Sequence, residues 1–317
     1  MPKKTVVWTG QLLLLVLGLA VAVLISLNIG PSGFTTDRSI LFDLRLPRIL
    51  LGFAVGGSLS LAGVLLQGLF RNPLVEPYTL GISGGAAVGV AVGIMLGFAR
   101  RTVWSLPFSG FIGAGLVVFL LYFLSFRRRE LKIQSLLLSG VMLSFICSSL
   151  MMLLMALSRT EDLHGIVYWT MGSLDEANRL LVYGAVVFSL LGLLAAYLLV
   201  FELNAFSLGE EEALHLGIRT ERSKRLIFAL ASLLTGLAVS AAGIIGFVGL
   251  LVPHFTRLFF GSDHRIVLGG AFLSGAIFLI LCDTLARVVI APLELPVGVI
   301  TGIAGGSFFV YLLLRKS

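Results

Sequence analysis

The chain has 317 residues, of which 58% are apolar and only 12% are charged, and its mean hydropathy is +1.05. Apolar runs of about 18 or more residues recur along it, and such runs predict transmembrane helices rather than a soluble core. The net charge of +7 is typical of a membrane protein that obeys the positive-inside rule, and it does not indicate nucleic-acid binding. Cys147 and Cys282 fall inside apolar runs, which argues against a disulfide framework and a cysteine-based metal site.

The sequence predicts an all-α polytopic membrane protein, folded as one transmembrane domain over residues 1–317. The first apolar run lacks a small-residue cleavage site, so we interpret it as a span and not as a signal peptide. A nearly unbroken run contains the seventh and eighth spans, and Gly243, Gly246, Gly249 and Pro253 favour a break and re-entry there. The ten predicted spans lie at residues 9–29, 47–69, 79–98, 106–126, 135–157, 180–200, 225–243, 245–260, 266–290 and 297–314.

Lysine and arginine are distributed unevenly between the predicted loops. With the N-terminus placed inside, 15 of the 23 basic residues lie on the cytoplasmic side and eight on the other side. This bias predicts that both termini are cytoplasmic and that the number of spans is even. Trp8, Trp104 and Trp169 fall near predicted membrane boundaries, as interfacial anchors do.

Two patterns concern the packing of the spans. Glycines recur at every fourth residue from Gly81 to Gly97 in the third span, which favours close helix packing over a substrate-facing strip. Residues 50–73 match residues 230–253 at six identical positions. Because the second span runs inward and the seventh outward, this match predicts an inverted repeat of spans 2–5 and 7–10, with the pathway at the repeat interface.

The stretch SLGEEEALHLGI is a polar segment between the sixth and seventh spans. Ser207 and Glu210 have the spacing of a capping box, which predicts that a short helix begins there. Glutamates are favourable in the first turn of such a helix, and Gly217 is suited to end it. A capped helix at about 205–218 on the cytoplasmic side predicts a docking element for a soluble partner, and a solvated loop is the alternative.

Within this stretch, EEALHLG resembles the Glu-Ala-Ala-x-x-x-Gly signature of ABC-importer permeases, with Glu212 in place of the first alanine. The usual Ile-x-Leu-Pro continuation is absent. Other stretches resemble the FecCD/BtuC-like permeases, which import iron–siderophores, haem and cobalamin. These stretches are LRLPRILLG (44–52), GLFRNPLVEPYTLGISGG (68–85), IIGFVGLLVPHFTR (244–257), SDHR (262–265) and ELPVG (294–298).

The resemblance implies a subunit of ten spans in the bacterial cytoplasmic membrane, embedded in the lipid bilayer. Its expected partners are a second permease copy or a paralogue, two cytoplasmic ATPase subunits and an extracytoplasmic substrate-binding protein. The chain has no Gly-x-x-x-x-Gly-Lys-Ser/Thr sequence, so we expect the ATPase to be a separate polypeptide and this chain not to be an enzyme. We expect no cofactor, no metal site and no nucleic-acid partner.

The resemblance also implies roles for individual residues. The polar segment between the sixth and seventh spans corresponds to the loop that sits in a groove of the ATPase. This correspondence assigns ATPase coupling to Ser207, Glu210, Glu211, Glu212, Ala213 and Gly217.

Three arginines match positions that receive acidic side chains of the binding protein, namely Arg45, Arg48 and Arg287. The alternatives are lipid-headgroup contact for the first two and an ion pair with Asp283 for Arg287.

Two loops match cytoplasmic constrictions of the family. The loop after the second span supplies Asn72 and Leu74, and the loop entering the fifth span supplies Lys132 and Ile133. Family members often carry small hydroxyl residues at the second place, and this chain does not.

Two other function classes compete with this interpretation. An intramembrane enzyme would need paired catalytic groups, but the sequence has no His-Glu-x-x-His or Asp-rich pattern, and its four histidines lack ligand spacing. An ion-gradient-driven secondary transporter would place ionisable residues at mid-span, and Asp283 is the best candidate, which Arg287 is expected to neutralise. The cargo stays open among iron–siderophore, haem and cobalamin, because specificity in the family resides mainly in the binding protein.

Overall fold

The computed structural model describes residues 2–31, 33, 37–98, 102–127, 130–131, 133–176 and 178–316. Over these ranges the chain forms thirteen α-helices and one two-stranded ribbon, so the all-α prediction is confirmed. The helices are α1 (Pro2–Asn28), α2 (Leu46–Phe70), α3 (Ile82–Met95), α4 (Ser105–Ser125), α5 (Ile133–Leu157), α6 (Thr160–Thr170), α7 (Arg179–Leu198), α8 (Val200–Leu208), α9 (Glu210–His215), α10 (Thr220–Ala242), α11 (Val248–Phe260), α12 (His264–Val288) and α13 (Val297–Lys316).

Three short elements connect these helices. A π-helical turn (Ile40–Arg45) leads into α2, and a 3-10 turn (Pro77–Leu80) leads into α3. The antiparallel ribbon of β1 (Phe126–Arg127) and β2 (Glu130–Leu131) joins α4 to α5.

Every predicted span coincides with a helix. Among the described residues, seven helices are long and apolar enough to cross a membrane, and three shorter apolar helices cover the third, eighth and tenth predicted spans. Two of these, α3 with 14 residues and α11 with 13, have fewer than the roughly 20 residues that a straight crossing needs. These two helices occupy the second place in each half of the predicted repeat, where interrupted helices are common in transporters. The repeat itself stays a prediction.

Helix α2 lies at the centre of the bundle. It is buried along almost its whole length and packs against α7, α10, α11 and α12. A Cβ atom on Gly56 would overlap the carbonyl of Gly275 in α12, and a Cβ atom on Gly63 would overlap the carbonyl of Gly249 in α11. Glycine at these positions therefore lets the backbones meet directly, as is common where membrane helices cross closely.

The glycine series of the third span has the same role. In α3, Gly85 and Gly89 face α4, where a Cβ atom on either would overlap the backbone oxygen of Gly113 or of Ser109. The contacts support helix packing as the reason for these glycines.

Candidate coupling, docking and gating sites

The polar segment between the sixth and seventh spans folds as two helices, α8 and α9, separated by Gly209. The predicted capping box is wrong. Ser207 lies inside α8, and its hydroxyl donates to the Leu203 carbonyl at 3.0 Å instead of accepting a backbone N–H from the next helix. Gly209 is the N-cap residue, with φ of 146° and ψ of 161°, a conformation that suits glycine and that ends α8 before Glu210 begins α9.

The predicted end of this segment is confirmed at Gly217. Gly217 N–H donates to the Leu214 carbonyl at 2.9 Å, and Ile218 N–H donates to the Ala213 carbonyl at 3.0 Å. This pair of bonds is a Schellman motif, which satisfies the last carbonyls of α9. Gly217 has φ of +80°, and a Cβ atom there would meet no other atom within 4 Å, so backbone conformation and not space favours glycine.

A buried lysine fixes α9 to the next transmembrane helix. The Lys224 ammonium in α10 pairs with the carboxylate of Glu210 at the start of α9 and with that of Glu221 at 3.1 Å. The Lys224 side chain is only 4% exposed. Glu210 therefore anchors α9, while Glu211 and Glu212 are exposed.

The exposed side of α9 combines charged and apolar groups. Leu214 and Leu216 are more than half exposed, beside the exposed Glu211 and Glu212, whereas Ala213 is fully buried against the bundle. An exposed apolar surface rimmed by charge is typical of a protein-binding site. We call this surface, formed by Glu211, Glu212, Leu214 and Leu216, the α9 knob.

The three predicted docking arginines come together in one pocket, although they are far apart in the sequence. Arg45, Arg48 and Arg287 line a pocket of about 470 Å³ together with Asp175 and Glu294. We call this set of five side chains the arginine pocket.

Arg48 already has acidic partners within the chain. Its guanidinium lies 3.0 Å from the carboxylate of Asp175 and 2.8 Å from that of Glu294. The sequence interpretation missed both carboxylates because they lie 127 and 246 positions along the chain from Arg48. The presence of Glu294 in the ELPVG stretch was the one available signal.

Arg45 and Arg287 are buried, at 3% exposure each. Arg45 donates to the Leu27 carbonyl at 2.5 Å. Arg287 pairs with Asp283 at 3.0 Å and donates to the Ser26 hydroxyl at 2.7 Å. The ion pair that was the alternative for Arg287 is therefore present, and Asp283 is neutralised as expected.

Two of the predicted gate residues share one turn after α2. The Asn72 side-chain oxygen accepts the Leu74 N–H at 2.9 Å, and Leu74 is 56% exposed. Ile133 begins α5 and packs, half-buried, against the helical core. Lys132 lies outside the described residues. The gate assignment stays a prediction.

The predicted break between the seventh and eighth spans is present at residues 243–247, where the chain is not helical. Phe247 adopts a left-handed conformation with φ of +68°, which is unfavourable for a bulky residue. Its ring lies against Gly305 and Gly306 of α13, where the absence of side chains makes room for it.

Two side chains from the loop after α2 hold this break, and the sequence interpretation missed both. The Glu76 carboxylate accepts the Phe247 N–H at 2.6 Å, and the Tyr78 hydroxyl accepts the Ile245 N–H at 3.0 Å. Burial raises the pKa of Glu76 from 4.5 to about 7, and the Phe247 N–H opposes this rise. Burial also raises the pKa of the Tyr78 phenol, so it stays protonated.

Comparison with known proteins places these features in a family context. The model of the FecCD transport family matches residues 8–315. The hemin transport system permease protein HmuU of Yersinia pestis is 40% identical over 284 residues, which cover 87% of this chain and 84% of that protein. The vitamin B12 import system permease protein BtuC of Salmonella arizonae is 38% identical over 330 residues, which cover 99% of this chain and 96% of that protein. A solved structure described as an inward-facing, metal-chelate type ABC transporter has a TM-score of 0.88 at 33% identity and covers 97% of this chain and 99% of that one.

Proposed function

Because the chain belongs to the FecCD transport family, whose members are non-catalytic permease subunits of ABC transporters, we propose that it is the membrane pathway of an ATP-driven importer. The cargo would be a metal chelate or a corrinoid, in the class of iron–siderophores, haem and cobalamin. A substrate-binding protein would deliver it, and two permease chains with two ATPase subunits would move it into the cytoplasm. Both termini of the chain would be cytoplasmic.

The observation that carries this proposal is the α9 knob. It stands between two transmembrane helices, ends in a Schellman motif at Gly217 and is fixed to α10 through Lys224. A short helix held this firmly, with exposed leucines and glutamates, suits a partner that has to transmit movement to the membrane domain. We assign the ATPase contact to Glu211, Glu212 and the two leucines. Glu210 and Ala213 would hold the helix in place.

The arginine pocket would receive the binding protein. Arg48 is the residue best placed for this role, since its side chain is 12% exposed. Arg45 and Arg287 are buried and would add positive charge to the pocket without direct contact. The carboxylates of Asp175 and Glu294 already pair with the Arg48 guanidinium, so an acidic side chain of the binding protein would replace one of them as its partner. Two permease chains would present the pocket once to each lobe.

The turn that holds Asn72 and Leu74 would form the cytoplasmic constriction together with Lys132 and with Ile133, the first residue of α5. Leu74 is the exposed apolar side chain of this set, so two copies could close the pathway by apolar contact. This assignment rests on the family resemblance and on the exposure of Leu74.

Reconstitution tests the proposed function. The permease, its ATPase and its binding protein would be placed in lipid vesicles, and uptake of haem, cobalamin and ferric siderophores would be measured with and without ATP. We expect uptake of one cargo class that requires ATP and persists when ionophores abolish ion gradients. Uptake without the ATPase, driven by an ion gradient, would contradict the proposal and favour a secondary transporter.

A further inference from the structure

A groove runs between α4 and α10 on the outside of the bundle. It has a volume of about 410 Å³ and lies on the apolar part of two membrane-spanning helices. The residues that line it include the small Gly115 and Ala229, together with Val118, Phe119 and Leu226. A Cβ atom on Gly115 would meet no other atom within 4 Å, so the groove is open beside Gly115.

The end of this groove nearest α9 opens into a basic pocket. Arg225 and Leu226 line both spaces, and Arg219 and Arg222 complete the basic lining. Glu221 also lines the pocket, but its carboxylate pairs with the Lys224 ammonium at 3.1 Å. With three arginines against one glutamate, the lining of the pocket carries an excess of positive charge.

We propose that the groove and the basic pocket together bind one anionic phospholipid. One acyl chain would lie in the groove, and the phosphate would lie among the three arginines. Guanidinium groups match phosphate geometry with paired hydrogen bonds, and basic pockets between membrane helices bind anionic headgroups. Tyr122 borders the groove beside Arg225, as tyrosines do at a membrane interface.

The depth of the two parts agrees with the dimensions of a lipid. Arg225 is the sixth residue of α10 and lies about 7.5 Å along the helix from its first residue, at the usual rise of 1.5 Å per residue. Ala229 lies a further ~6 Å into the apolar region by the same rise. A phosphate held by Arg225 would thus have its acyl chain directed along Ala229 and Gly115.

Continuity between the two parts favours a lipid over a protein partner. A cytoplasmic ATPase could reach Arg219 and Arg222 at the end of α10, but it could not fill an apolar groove at membrane depth. Leu214 of the α9 knob lines the same basic pocket. If α9 contacts the ATPase as proposed above, the bound lipid would also steady that contact.

Native mass spectrometry of the delipidated permease–ATPase complex tests this proposal. Phosphatidylglycerol and phosphatidylcholine would be titrated separately, and we expect one tight phosphatidylglycerol per permease chain. Two variants remove one part each. Combining Arg222→Gln with Arg225→Gln should weaken binding by about 25-fold, at roughly fivefold per basic residue near an anionic surface, and Gly115→Leu should block the acyl chain without changing charge.

Matched controls separate the site from general effects. Arg265→Gln removes an exposed arginine at the start of α12, and Gly10→Leu fills open space on the exposed side of α1. Both should bind phosphatidylglycerol like the wild type, and added inorganic phosphate should not displace the lipid. Equal binding of the two lipids, or unchanged phosphatidylglycerol binding in either test variant, would overturn the proposal. Loss of the ATPase from the double arginine variant, with lipid binding intact, would assign the pocket to the ATPase instead.

Discussion

Replacing Glu76 by glutamine tests the half-buried carboxylate that holds the break between α10 and α11. Its pKa is raised to about 7 in the folded chain, against 4.5 in an exposed glutamate. Between these two values the folded chain keeps a proton that the unfolded chain has lost, so stability falls as the pH rises through this window. With 1.36 kcal/mol per pKa unit, the wild type loses about 3 kcal/mol by pH 8 and less than about 1 kcal/mol by pH 5.

Glutamine is neutral at both pH values, and its carbonyl oxygen can still accept the Phe247 N–H. We therefore expect Glu76→Gln to be more stable than the wild type by about 3 kcal/mol at pH 8 and by less than about 1 kcal/mol at pH 5. At about 2 °C per kcal/mol for a chain of this size, the melting temperature should rise by roughly 6 °C at pH 8. Thermal unfolding in lipid nanodiscs at the two pH values measures it. Equal shifts at pH 5 and pH 8 would refute the reasoning.

Alanine in place of Glu76 distinguishes the effect of the carboxylate charge from the effect of its hydrogen bond. Glu76→Ala removes the acceptor of the Phe247 N–H, a bond that contributes about 0.5–1.5 kcal/mol below pH 7, where the folded Glu76 is neutral. This loss is comparable with the cost of about 1–2 kcal/mol for a left-handed bulky residue. Amide hydrogen exchange of residues 243–249 should therefore accelerate by up to roughly 10-fold in Glu76→Ala, and less in Tyr78→Phe, which removes a longer hydrogen bond. Identical exchange in Glu76→Ala and Glu76→Gln would contradict this role.

Four further variants test the other sites. Arg48→Glu should weaken binding of the substrate-binding protein to the permease–ATPase complex in lipid and remove part of the salt dependence of this binding. A matched charge swap on the binding protein should restore the affinity. An unchanged affinity would exclude docking at Arg48. Gly217→Val should strain the end of α9 by about 1–2 kcal/mol and lower the ratio of transport to ATP hydrolysis. Glu211→Ala should lower the same ratio by removing a contact, while both variants still insert into the membrane. A normal ratio in both variants would exclude the α9 knob as the ATPase contact. Gly63→Leu should prevent assembly of α2 against Gly249, seen as loss of monodisperse protein on size-exclusion chromatography, because its side chain would overlap a backbone carbonyl.

The spans could be predicted from the sequence because lipid imposes a simple requirement. Each crossing needs a long apolar run with its backbone bonds satisfied internally, and this requirement is local in the chain. The break at residues 243–247 was also local, since Gly243 and Gly246 both weaken a helix. The orientation of the chain and the predicted repeat are not of this kind and stay predictions.

The partners of the site residues could not be predicted, for two physical reasons. Asp175 and Glu294 meet Arg48 only through the packing of distant segments, so no spacing in the sequence indicates them. The capping box failed because Ser207 is helical, and a serine can cap a helix only from outside it. Residue types indicated the chemistry of these sites, but tertiary structure decided which atoms meet.

Because α9 is fixed to α10, a movement of α9 would tilt α10 and displace its other end across the membrane. Its 23 residues extend about 35 Å at 1.5 Å per residue, so a tilt of about 5° at the α9 end moves the far end by about 3 Å. At that far end the Ala242 carbonyl accepts the Ser173 N–H at 2.8 Å, two residues before Asp175. A displacement of 3 Å is about the length of the Asp175–Arg48 ion pair. A small rotation imposed on one face of the membrane is therefore large enough to make or release an ion pair on the other.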